Sequence, residues 1–139
     1  YLGDAYQNSL YINHGQYDNH WINISLEGTT CNRAAIGAKL KITFEENGVS
    51  RFVYREVNSG GSFGANPLLQ HIGIGQATMV KTIEILWPGN KSPQVFTNLL
   101  PNENIYIKEG SNKIRKAVYP SVDFINSRKG LTGCAPITK

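Results

Sequence analysis

Charge is scarce in this 139-residue chain. Asp, Glu, Lys and Arg make up 17% of it, below the usual quarter of a globular domain. Asn, Ser and Thr fill the gap, a mix that suits secreted, turn-rich β proteins. Hydrophobic residues stand at 40%, near the globular average, and the length suffices for one domain with a proper core. No apolar run approaches the roughly 20 residues that cross a bilayer, so no membrane span is expected. No signal peptide opens the chain and it begins without Met, so it reads as a mature fragment or a domain cut from something longer. The formal net charge of +4 comes from the end of the chain, at Lys108, Lys113, Arg115, Lys116, Arg128, Lys129 and Lys139, while the middle is mixed in sign. A nucleic-acid binder gathers its basic residues on one face, and nucleic acid is not an expected partner.

Signatures of chemistry are also missing. The stretch SGGSFGANPLLQHIGIG (Ser59–Gly75) is rich in glycine, but no Lys follows as a phosphate loop needs, and GIGQAT lacks the last glycine of a dinucleotide fingerprint. GGSFG lacks the strand-to-helix setting of a serine nucleophile. Only ten residues are acidic, and the adjacent Glu45 and Glu46 fall at a hairpin tip, so paired carboxylates for glycoside cleavage are unsupported. The three histidines, His14, His20 and His71, form no HExxH pattern and no zinc spacing. Asp4 and Asp18 are isolated, without a D-x-D-x-D-G loop. The expectation is therefore no catalytic residue, no metal ligand and no cofactor in this domain. Cysteines number two, Cys31 and Cys134, and fit neither a zinc site nor a CxxC pair. They are either thiols or one bridge, which would close a loop of about 100 residues and add up to roughly 4–5 kcal/mol.

What the chain does contain is strand pattern. WINISLEG (Trp21–Gly28) alternates Ile22, Ile24 and Leu26 with polar residues, the period of a half-buried strand. Leu40, Ile42 and Phe44 alternate with Lys39, Lys41, Thr43 and Glu45. Asn47-Gly48 then supplies a hairpin turn, and SRFVYREV returns, so Lys39–Val57 is expected to be a β-hairpin. LLQHIGIG, MVKTIEILWPG, QVFTNL and NIYIKEG add further strands. In the fifth run Val80, Thr82, Glu84 and Leu86 fall opposite Lys81, Ile83, Ile85 and Trp87. Seven to eight short strands predict an all-β fold, an antiparallel sandwich or partly closed barrel, with little helix. Single turns fit Thr30–Ala38, capped by Thr30 or Asn32, and Gln76–Val80. The glycines of Ser59–Gly75 serve chain geometry: Gly60, Gly61 and Gly64 can take positive φ, and Gly73 and Gly75 mark a bulge or a close backbone approach. Trp21 and Trp87 are expected to plug the ends of the sandwich, and His71 to sit at the core edge.

The pieces NHW (Asn19–Trp21), NRAAIGAKL (Asn32–Leu40), REVNSGGSFGANP (Arg55–Pro67), HIGIG (His71–Gly75) and WP (Trp87–Pro88) occur in order. Together they resemble the ASPIC/UnbV domain family over roughly Asn8 to Gly110. The resemblance implies a non-catalytic extracellular interaction module of the kind that follows FG-GAP-type repeats in bacterial secreted proteins and in the cartilage acidic protein. Residues 1–18 then look like the end of a preceding propeller blade or a linker. Residues 19–110 form the ASPIC/UnbV-like β domain, and 111–139 a tail tethered by a Cys31–Cys134 disulfide if the bridge forms. The implied location is secreted, periplasmic or at the cell surface. The implied partners are the neighbouring propeller and a protein or glycan ligand, with a lectin-like domain or a hydrolase accessory domain as alternatives, and calcium is implied at most for the parent protein, through its repeats. Loops on a rigid scaffold carry binding residues, so the expected partner-binding set is Arg55, Ser62, Phe63, Asn66, Gln70 and His71.

Overall fold

The structure is a computed structural model, and it describes residues 18–61 and 65–119. Eight strands run through them: β1 (His20–Glu27), β2 (Lys39–Glu46), β3 (Val49–Glu56), β4 (Gln70–Gly75), β5 (Val80–Leu86), β6 (Gln94–Leu99), β7 (Glu103–Lys108) and β8 (Ile114–Lys116). They form two four-stranded sheets, sheet A in the order β4-β1-β7-β8 and sheet B in the order β3-β2-β5-β6. Neither sheet closes on itself and the described residues contain no helix. Of the two expected architectures, the sandwich is the one present.

Alternation explains how the layers meet. Ile22, Ile24, Ile72, Ile74, Ile105 and Ile107 of sheet A face Leu40, Ile42, Phe44, Ile83 and Ile85 of sheet B in one buried cluster. β-Branched chains are stiff at χ1 and fit a pleated surface, so isoleucine fills these layers at little rotamer cost. β1 and β7 pair in parallel, although the other ladders are antiparallel. Parallel neighbours need a long crossover, and here all of sheet B lies between them in the chain. β8 lies beyond Gly110, in a segment whose sequence has no clear period, and extends sheet A along β7.

Two bulges adjust which side chains enter the core. Thr43 pairs with Thr82 and Phe44 with Val80, leaving Lys81 as the extra residue. That inserted residue turns Val80 to the core side, fully buried with Ile83 and Ile85, where strict alternation would place it with Thr82. On β4, His20 pairs with Gly75 and Trp21 with Gly73, so Ile74 is skipped. Gly75 has φ +58°, and the Glu46 carboxylate occupies the space a Cβ would need. Glu46 is held there by accepting from the Gln76 amide at 3.0 Å and pairing with Arg51 at 2.9 Å. A Cβ at Gly73 would meet nothing within 4 Å. Gly75→Ala should therefore lower stability by about 1–2 kcal/mol, and Gly73→Ala should change it by less than about 0.5 kcal/mol. Urea unfolding of the two variants side by side checks the contrast.

Candidate functional site

β3 is an edge of sheet B and β4 an edge of sheet A, so the intervening loop crosses the open side of the sandwich. Its start is pinned at Val57, which is buried. The Val57 amide donates to Ala38 O at 2.9 Å, and its carbonyl accepts from the Gly37 amide at 2.8 Å. Asn66 Nδ2 donates to Gly60 O at 2.8 Å and draws the two limbs together. Gly61 takes φ +154°, a conformation open to glycine. Where the loop meets the strands lies a cleft of about 380 Å³, lined by Arg55, Asn66, Gln70 and His71 together with Tyr54 and Glu56. Four of the six expected binding residues are thus brought together. Ser62 and Phe63 lie outside the described residues, as does Gly64.

The cleft has a specific electrostatic character. Arg55 is exposed, and its Nη1 donates only to the neighbouring Tyr54 carbonyl, at 3.1 Å. Among the described residues no carboxylate pairs with it, whereas Arg51 pairs with Glu46 at 2.9 Å, Lys41 with Glu84 at 3.4 Å and Lys108 with Glu27 at 3.5 Å. On the opposite face of β3, Phe52 and Tyr54 are 60% and 62% exposed and meet edge-to-face at 5.4 Å. The Phe52 row continues across sheet B as Thr43, Thr82 and Thr97, and the Tyr54 row as Lys41, Glu84 and the exposed Val95.

His71 does not sit at the core edge. It is exposed on the outer face of sheet A, with Nδ1 at 2.5 Å from Asn23 Oδ1 and its ring centroid 5.9 Å from that of Trp21. Trp21 is half-buried on the same face and plugs nothing, because β1 alternation sends Ile22 and Ile24 inward and Trp21 outward. Trp87 does fill an end of the sandwich, at 2% exposure, and donates from its indole to Gln94 Oε1 at 2.8 Å.

Sequence reasoning missed Glu109. This buried residue follows β7 and accepts from the amides of Thr29 at 2.7 Å, Thr30 at 2.8 Å and Cys31 at 3.1 Å, and from Thr30 Oγ1 at 2.5 Å. Burial opposes its ionisation, but those donors outweigh burial and hold the carboxyl well below the usual carboxylate range. The Cys31 thiol beside it is pushed up, first by burial and then by a hydrogen bond to Glu109 and that residue's negative charge, which works against thiolate formation. Among the described residues Cys31 has no disulfide partner, and Cys134, its expected partner, lies outside them. Nothing local in IKEG marks Glu109 as a hub; only the parallel β1–β7 pair brings it to Thr29.

Among the described residues, no three His, Cys, Asp or Glu side chains converge as a metal site, and no helix is long and apolar enough to cross a membrane. The fold and cleft define an all-β sandwich domain of two four-stranded sheets with a polar recess at its open edge. Residues 28–114 match the family model described as ASPIC and UnbV, and the chain belongs to that family. No curated protein and no solved structure matches it.

Proposed function

We propose that the chain is a non-catalytic interaction module acting outside the cytoplasm, and that the protein partner of its β3–β4 edge is an FG-GAP-type propeller. The observation that carries this proposal is Arg55: an exposed guanidinium without a carboxylate partner among the described residues, lining the cleft on an edge strand whose other face carries exposed Tyr54 and Phe52. A partner that supplies a carboxylate in apolar surroundings satisfies both features, and Arg and Tyr are the residue types that anchor protein interfaces. On the outer face of sheet B the row from exposed Tyr54 runs through the Lys41–Glu84 ion pair to exposed Val95, a mix of aromatic, apolar and charged groups that suits a protein contact. The domain needs no cofactor for this role.

The test is titration of the domain, in trans, with the propeller portion of a family member that carries both. Binding should be measurable by calorimetry. Arg55→Glu should weaken it about tenfold or more by reversing the charge, with an unchanged melting temperature because among the described residues Arg55 holds only its neighbour's carbonyl. Absence of binding, or an Arg55→Glu variant that binds like the parent, overturns the proposal.

A further inference from the structure

The outer face of sheet A has a composition unlike that of a merely solvated sheet. His71, Asn23 and Asn104 stand in one row across three adjacent strands, since Asn23 is opposite His71 on β4 and opposite Asn104 on β7. No residue of this row is charged in the ordinary sense of a carboxylate, lysine or arginine. The row is joined by hydrogen bonds of fixed direction. Asn23 Oδ1 can only accept, so the 2.5 Å contact is a donation from His71 Nδ1–H. Asn23 Nδ2 in turn donates to Asn104 Oδ1 at 2.8 Å. At one end, in the neutral imidazole, this leaves His71 Nε2 as a bare acceptor, and at the other Asn104 Nδ2 as a donor with no partner among the described residues.

Aromatic rings flank the row on both sides. Trp21 lies one row up, directly opposite Gly73. Because Gly73 has no side chain and a Cβ there would meet nothing within 4 Å, the surface next to the indole is open. One row down, Tyr106 is opposite Ser25 on β1 and Arg115 on β8, and the guanidinium carbon sits 4.3 Å above the phenol ring.

From this arrangement we infer that the Trp21–Asn23–His71–Asn104 face binds a neutral oligosaccharide. The C–H face of a pyranose matches an open indole, and its hydroxyls, each both donor and acceptor, match a row that ends in one free acceptor and one free donor. A peptide strand would need unpaired backbone groups, and the backbones of β1 and β7 are used on both sides within the sheet. This face is separate from the cleft around Arg55; His71 is the residue they share.

The probes are four neutral tetraoses, cellotetraose, xylotetraose, chitotetraose and maltotetraose, titrated at millimolar concentration against the chain with tryptophan fluorescence and calorimetry as readouts. At least one should bind. Trp21→Ala and Asn104→Ala should each weaken that binding about tenfold. Gly73→Val should do the same by covering the indole surface, while a β-branched residue in an open strand position leaves the melting temperature unchanged or higher; this separates blocked access from lost folding. Arg55→Glu should bind sugar like the parent, so failure here and failure of the protein contact are told apart. No binding of any tetraose, or parental affinity in both Trp21→Ala and Gly73→Val, overturns the inference.

Discussion

Replacing Glu109 by alanine is expected to lower stability by about 3 kcal/mol, a fall of roughly 15 °C in melting temperature for a domain of this size. The argument is one of orphaned donors. One carboxylate takes the amides of Thr29, Thr30 and Cys31 and the Thr30 hydroxyl, and alanine leaves all four to whatever water can enter. Glu109→Gln should cost less, about 1–2 kcal/mol. Its amide oxygen can keep the three backbone donors, while its amide nitrogen turns to the Thr30 hydroxyl, which can accept instead of donate. The pH dependence has a definite sign. The folded carboxyl lies below its ordinary value, so its contribution is complete above the usual glutamate range of about 4.3 and drains away as pH falls below that range towards the folded value. Urea midpoints at about pH 7 and about pH 3 should therefore show the parent losing more stability on acidification than Glu109→Gln. Equal losses would remove Glu109 as the source.

That such a residue escaped notice says where sequence pattern stops being informative. Period-two alternation reports one face at a time, and it located the strands that face the core through Ile22, Ile42, Ile83 and Ile105 because each of those positions is decided by burial. The Asn47-Gly48 turn was equally legible, since both residues need positive φ and take it, at 53° and 78°. Failures came where a decision depended on a neighbour distant in the chain. Val80 enters the core through a bulge set by the partner strand β2. Trp21 is a large apolar residue, yet its face is fixed by Ile22 and Ile24 on either side of Asn23. β8 is only three residues long and is held by β7 rather than by its own pattern. The cleft was readable in part because Arg55, Asn66, Gln70 and His71 flank one connection. Its charge, an arginine with no carboxylate partner among the described residues, depends on which acids the fold places elsewhere.

Trp87→Ala should be the most damaging single change, at about 4 kcal/mol. Trp87 is buried in the cluster that also holds Ala35, Ala38 and Val57, so truncation opens a cavity where the 28–38 loop and the end of β3 close the sandwich. It also strands Gln94. That side chain takes the indole proton at 2.8 Å and the Gly110 amide at 3.2 Å on Oε1, and donates from Nε2 to Ser111 O at 2.7 Å. It therefore ties β6 of one sheet to the turn after β7 of the other. Trp87→Phe keeps most of the apolar volume but removes the indole donor, and should cost about half as much. The effect should reach the cleft, because the loop that carries Asn66 is anchored through Val57 to Gly37 and Ala38. Amide hydrogen exchange at Val57 and Gly37 should accelerate in Trp87→Phe more than at Ile83 in the middle of sheet B. If exchange instead rises uniformly across both sheets, the tryptophan acts on global stability alone and the loop is held independently of it.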